Sequence, residues 1–146
     1  MKVFLIDDSP KVIERLQEMI APIPGVELVG YASDIPEALR CFRTKCPDIV
    51  VLDLHLPGGN GIQVLQTIKK EKPETVVIVL TNCAFPQYEK KCAEAGAHSF
   101  LDKSKDFGRV PWVIQALSQE REHRNQVPSS SDFETQPRIE CKGSSR

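Results

Sequence analysis

The sequence predicts a doubly wound α/β fold: a parallel sheet of five strands, with five helices covering its two faces. Two observations predict it. Short and almost wholly apolar runs recur down the chain, as strands buried on both faces should read. Amphipathic segments of helical period separate those runs. Strand and helix in strict alternation make right-handed βαβ units, and those require a parallel sheet.

The first run, VFLI at 3–6, stops at two adjacent carboxylates, Asp7 and Asp8. Ser9 can then cap a helix that has Pro10 at its first position, with Val12, Ile13, Leu16, Met19 and Ile20 as its apolar stripe. The second run is VELVGY at 26–31. Asp34 and Glu37 follow at capping-box spacing, and Ile35, Ala38, Leu39 and Phe42 form the next stripe. The third, DIVVL at 48–52, ends at Asp53. Pro57, the glycines at 58, 59 and 61 and Asn60 then build a tight loop, before Ile62, Leu65 and Ile68 repeat the helical pattern. The fourth, TVVIVL at 75–80, is followed by Thr81 and by the weakest helix, Pro86 to Ala95, which is short and thinly apolar. The fifth, HSFL at 98–101, lies just before Lys103. Val110, Val113, Ile114 and Leu117 mark the last helix. From about Asn125 the pattern fails, so residues 1–124 are expected to form the domain and 125–146 a disordered tail.

Composition narrows the class. At 146 residues the chain can bury one core without disulfides or a metal staple. It is 40% hydrophobic and 27% charged, and no apolar run is long enough to span a membrane. Met1 leads directly into the first strand, so no signal peptide is expected. A formal net charge of -1 supplies no general attraction for nucleic acid. The cysteines at 41, 46, 83, 92 and 141 are odd in number and make no C-x-x-C pair. Reduced thiols in a cytoplasm fit them better than a disulfide framework or a zinc site.

All strands of a parallel sheet end on one edge, and open α/β sheets bind ligands outside those carboxyl ends. Asp7, Asp8, Asp53, Thr81 and Lys103 all fall there, whereas the second strand ends without a reactive group. Carboxylates about 5 Å apart repel by roughly 3 kcal/mol per pair at an effective dielectric near 20. Either some of them protonate or a cation joins them, and hard oxygen ligands with room for water and phosphate suit Mg2+, or Mn2+, better than zinc. Simple helix capping accounts for one of the paired aspartates beside Ser9 but not for both together with Asp53. A carboxylate beside such a cation can attack phosphorus to give an acyl phosphate, with Lys103 and Thr81 on the equatorial oxygens. Neither a G-x-x-x-x-G-K-[ST] loop nor a G-x-G-x-x-G string is present, so a nucleotide enzyme gains no support.

In these residues the chain resembles a receiver domain of the two-component response regulators, from Met1 to about Arg124. The resemblance rests on Asp7-Asp8, Asp53 with Pro57 and Gly61, Thr81, and Phe100 with Lys103, in matching order and approximate spacing. It implies the flavodoxin-like strand order 2-1-3-4-5. It also implies that Asp53 accepts a phosphoryl group from a histidine kinase or phosphotransfer protein. Asp8 and Asp53 would hold the metal, aided by Asp7 and the main-chain carbonyl of His55. Lys103 would pair with the phosphate, and Thr81 with Phe100 would form the switch. Any catalysis would be confined to its own phosphorylation and dephosphorylation.

Three positions depart from that pattern. Asn82 replaces a very small residue, Ser104 follows Lys103 where proline is common, and Phe100 lacks a tyrosine hydroxyl. His55 and Cys83, each two residues past a site residue, should flank the mouth of the pocket as rim residues. With only 22 residues after Arg124, the expected function is a stand-alone switch that signals to a protein and not to DNA or a membrane. The alternatives are a receiver module cut from a longer regulator and a metal-dependent aspartyl-phosphate phosphatase. Enzymes of the latter kind usually carry a second Asp two residues after the nucleophile, where this chain has His55.

Overall fold

The computed structural model describes residues 1–126. Its five main strands are β1 (Lys2–Ile6), β2 (Glu27–Ala32), β3 (Ile49–Leu52), β4 (Val76–Thr81) and β5 (Ser99–Asp102). They form one parallel sheet in the order β2-β1-β3-β4-β5. The predicted order therefore holds, and β1 and β3 are neighbours in register from Val3↔Ile49 to Ile6↔Leu52. Strand limits differ from the sequence reading by one residue at most, because a pairing partner, not hydropathy, decides where a ladder stops. Thr81 is consequently the last residue of β4 and not the first after it.

Five α-helices join the strands: α1 (Pro10–Ile20), α2 (Ile35–Lys45), α3 (Gly61–Glu71), α4 (Pro86–Glu94) and α5 (Val110–Gln126). Their starts follow local chemistry. The Ser9 hydroxyl accepts the Val12 N–H at 3.4 Å and the Asp34 carboxylate accepts the Glu37 N–H at 2.9 Å. Glu37 reaches back to the N–H of Ser33, one residue before the cap. The helix α4 begins without a side-chain cap, at Phe85, and only Cys92 among its residues is fully buried. The helix α5 continues through Gln126, past the boundary drawn at Arg124. The expected tail otherwise lies outside the described residues.

The sheet separates two cores. Phe4, Ile6, Val50 and Leu52 point to one side with Phe42, Leu65 and Ile68 of α2 and α3. Val3, Leu5, Ile49 and Val51 point to the other with Leu16, Ile20 and Ile114 of α1 and α5. That alternation explains the unbroken apolar runs of β1, β3 and β4, whose residues 3–6, 49–52 and 77–81 are buried whichever way they face. Two short features escaped the sequence reading: an antiparallel pairing of His55–Leu56 with Gly59–Asn60, and a 3-10 turn at Phe107–Arg109 before α5. No helix among the described residues is long and apolar enough to cross a membrane.

Candidate functional site

Strand ends put the polar groups together. The Asp7 N–H donates to the carbonyl of Ala32, the Asp53 N–H to that of Ile6, and the Lys103 N–H to that of Thr81, each at 3.0 Å. These bonds extend the sheet's ladder by one step and fix the backbone from which each functional side chain departs. Asp7 and Asp53 are then buried at 3% and 4% exposure, Thr81 is fully buried, and Asp8 is exposed. One carboxylate oxygen from each of Asp7, Asp8 and Asp53 lies within 4.8 Å of the others.

Lys103 crosses from the loop after β5 to reach this cluster. Its ammonium donates to Asp7 Oδ2 at 2.7 Å and to Asp53 Oδ2 at 3.1 Å. Burial pulls the Lys103 pKa down, but the Asp7 hydrogen bond and the fields of Asp53 and Asp7 outweigh it and hold the amine above its ordinary value. Burial pushes the Asp7 carboxyl up, against the bonds from Lys103 and from the Ser9 N–H, and the Asp53 charge adds to the rise. Both directions follow from position: Lys103 faces two carboxylates, whereas Asp7 faces one ammonium, a like charge and little water.

The other oxygens are held by backbone. The Ser9 N–H donates to Asp7 Oδ1 at 2.9 Å and the His55 N–H to Asp53 Oδ1 at 3.2 Å. The Cys83 N–H donates to Thr81 Oγ1 at 3.1 Å. Three carboxylates and one ammonium leave two formal negative charges uncompensated at an all-oxygen cluster. That surplus, with Asp8 open to water, fits a hard divalent cation such as Mg2+.

Close packing against the backbone accounts for the glycine at 61. A Cβ there would stand 2.5 Å from Leu54 Cα and 2.6 Å from the Asp53 carbonyl oxygen. Its N–H donates to the Leu54 carbonyl at 2.9 Å. Gly61 thus lets the start of α3 press against the backbone that carries Asp53. Among the described residues no peptide bond is cis. The turn after Lys103 is instead shaped by Asp102, whose Oδ1 accepts the Ser104 N–H at 2.8 Å and the Ser104 hydroxyl at 2.7 Å. Asn82 is exposed, and Phe100 is half-buried against the cluster that includes Tyr88 and Cys92. His55 and Cys83 do flank the mouth, and they also touch, with Sγ 3.5 Å from Nδ1. That contact was not legible because the two residues lie 28 positions apart.

Comparison with known proteins points the same way as the geometry. Residues 3–115 match the response regulator receiver domain family. The DNA-binding transcriptional activator EvgA of Escherichia coli K12 is 31% identical over 116 residues, which are 80% of this chain and 56% of that protein. The chain therefore spans about half the length of such relatives. A crystal structure of a LuxR-family two-component response regulator from Aurantimonas sp. SI85-9A1 superposes with a TM-score of 0.74 at 34% identity, covering 82% of this chain and 85% of that one. A chain of the CheX–CheY–BeF3–Mg2+ complex from Borrelia burgdorferi superposes with a TM-score of 0.68 at 28% identity, covering 78% and 89%.

Proposed function

The chain belongs to the response regulator receiver domain family of two-component systems, and from that membership we propose a phosphorylation-controlled switch whose acceptor is Asp53. The observation that carries the reading is Lys103, anchored to both Asp7 and Asp53 beside the exposed Asp8. A carboxylate oxygen of Asp53 attacks the phosphorus of a phosphohistidine in a kinase or phosphotransfer protein. The new O–P bond forms as the P–N bond to the donor's imidazole breaks. Lys103 neutralises charge on the transferred oxygens, and the Thr81 hydroxyl, exchanging its bond from Cys83 for one to the phosphoryl group, carries the change to Phe100. Asp7, Asp8, Asp53 and the His55 carbonyl would hold Mg2+, with Mn2+ as a substitute, and the ion would add positive charge where the equatorial oxygens gather. The Borrelia complex, which contains Mg2+ and BeF3, supports that choice by likeness.

Reduced thiols and the family's kinase partners suit a cytoplasmic setting. Output would pass through the face of α4, β5 and α5 to a downstream protein. A second reading follows from EvgA, a DNA-binding activator of which the match covers 56%. In that reading the receiver of this chain would control a DNA-binding segment of one longer protein. Sequencing the gene through its stop codon decides between the two. Family membership weighs against the phosphatase alternative.

The test of the acceptor is direct. Incubation with Mg2+ and a small acyl phosphate should add one phosphoryl mass to the intact protein, and Asp53→Asn should abolish it. An undiminished adduct in that variant would place the acceptor elsewhere.

A further inference from the structure

Beside the aspartate cluster lies a cleft of about 230 Å3 whose lining includes Leu54, Leu56, Ile62 and Tyr88, with His55 and Cys83 at its rim. None of the phosphoryl chemistry above uses those two side chains. Cys83 Sγ lies 3.5 Å from His55 Nδ1, and with the ring proton on Nε2 the thiol donates to that nitrogen. Cys83 is half-buried and His55 exposed, so the pair meets solvent and the cleft at once. Cys92 provides the contrast: it is fully buried, and desolvation holds its thiol above the ordinary range.

We propose that Cys83 and His55 form a thiol-modification site that takes low-molecular-weight disulfides, with the cleft receiving the group attached to Cys83. The step is thiol–disulfide exchange. As Sγ attacks one sulfur of R–S–S–R, its proton passes to Nδ1; a new Sγ–S bond forms and the old S–S bond breaks. The departing thiolate collects the proton and leaves as R–SH. Cys83 is oxidised to the disulfide level, the released half is reduced, and the imidazole ends neutral as it began.

Position gives the modification a consequence. The Cys83 N–H holds Thr81 Oγ1 and the His55 N–H holds Asp53 Oδ1, so the modified residue and its partner are those that fix the acceptor and the hydroxyl. A group on Sγ would stand across the approach to Asp53 and slow its phosphorylation. This second half rests on the phosphoacceptor reading; the exchange itself does not.

Glutathione disulfide is the probe, applied to the full chain without phosphodonor, with Cys83 followed by peptide mass mapping. In the folded protein the Cys83 adduct should form about tenfold faster than in the same chain unfolded in urea, a modest gain beside the roughly hundredfold or more that a fully aligned base supplies. His55→Gln, at an exposed position, should fall back to about the unfolded rate with its circular dichroism unchanged. A Cys83 no faster folded than unfolded overturns the site, and that comparison needs no variant. A His55→Gln protein that is folded and as fast as the native one also overturns it. The isolated adduct should then take phosphate from an acyl phosphate about tenfold more slowly, with recovery on reduction, while Cys83→Ser is indifferent to the disulfide. An unslowed adduct removes the gating. Absence of phosphorylation in the unmodified protein would instead count against Asp53 as acceptor, leaving the thiol rates to stand.

Discussion

Asp7 shows how one residue carries the cost of a functional site. It is buried, its charge opposes that of Asp53, and burial keeps its carboxyl above the ordinary 3.8. An acid whose pKa is higher folded than unfolded binds its proton more tightly in the native state. Its contribution to stability is therefore complete below pH 3.8 and is lost as pH rises through the folded value. In metal-free buffer the native protein should accordingly lose stability relative to Asp7→Asn as pH is raised from about 4, whatever the absolute order of the two. Denaturant midpoints of both proteins across that range test this, and a constant difference would mean that Asp7 titrates normally. Gly61 bears a constraint of another kind. Its missing Cβ would meet backbone at 2.5 Å, and backbone yields less than a side-chain end. Gly61→Ala should therefore cost about 1–3 kcal/mol, as overpacking does, and should slow acyl phosphate labelling because the strained segment carries Asp53. Equal stability of the variant would show that the start of α3 can move aside.

Among the elements, α4 is the least secured. It has no side-chain cap, and its single fully buried residue is Cys92, whereas α3 buries Gly61, Ile62, Val64, Leu65 and Ile68. Amide exchange should thus be faster across 86–94 than across 61–71, as local openings there expose little apolar surface. The opposite order would remove α4 as the mobile part of the switch. Loading Asp53 with a phosphoryl analogue should change exchange in 82–105. Thr81→Ala, which deletes the acceptor of the Cys83 N–H, should weaken that response while leaving phosphorylation largely intact. Identical responses in the two proteins would exclude Thr81 as the link. The weakness of α4 was legible from its sparse apolar stripe, as the strands were from their unbroken runs. Polar residues at the ends of those runs had to share an edge, because a parallel sheet leaves no other place for them. What remained hidden depends on side-chain reach and on pairs distant in sequence. The double anchorage of Lys103, the Asp102–Ser104 turn and the touch of His55 with Cys83 are set by the closed fold and not by any local pattern.

At the scale of the molecule, the site is joined to the fold through β1 and β3, which sit centrally in the sheet and are covered on both faces. The two uncompensated negative charges at their ends oppose folding, and a cation that binds only the folded arrangement must relieve them. Stabilisation by such a ligand grows as RT ln(1 + [L]/Kd), which is about 1.4 kcal/mol at ten times Kd. For a chain of this size that is a rise of about 4 °C in Tm. Binding should be micromolar to millimolar, as befits an open site and not a closed cage. Calorimetry is the suitable measurement, since Trp112 is 72% exposed on α5 and is a poor reporter of events among the aspartates. Asp8→Ala separates site from scaffold most cleanly, because Asp8 is exposed and contributes little to the core. The variant should melt near the metal-free native protein and should lose most of the Mg2+-dependent rise. A variant that keeps the full rise would leave Asp8 without a role in holding the ion, and the cation would have to be held by Asp7 and Asp53 alone, where Lys103 already stands.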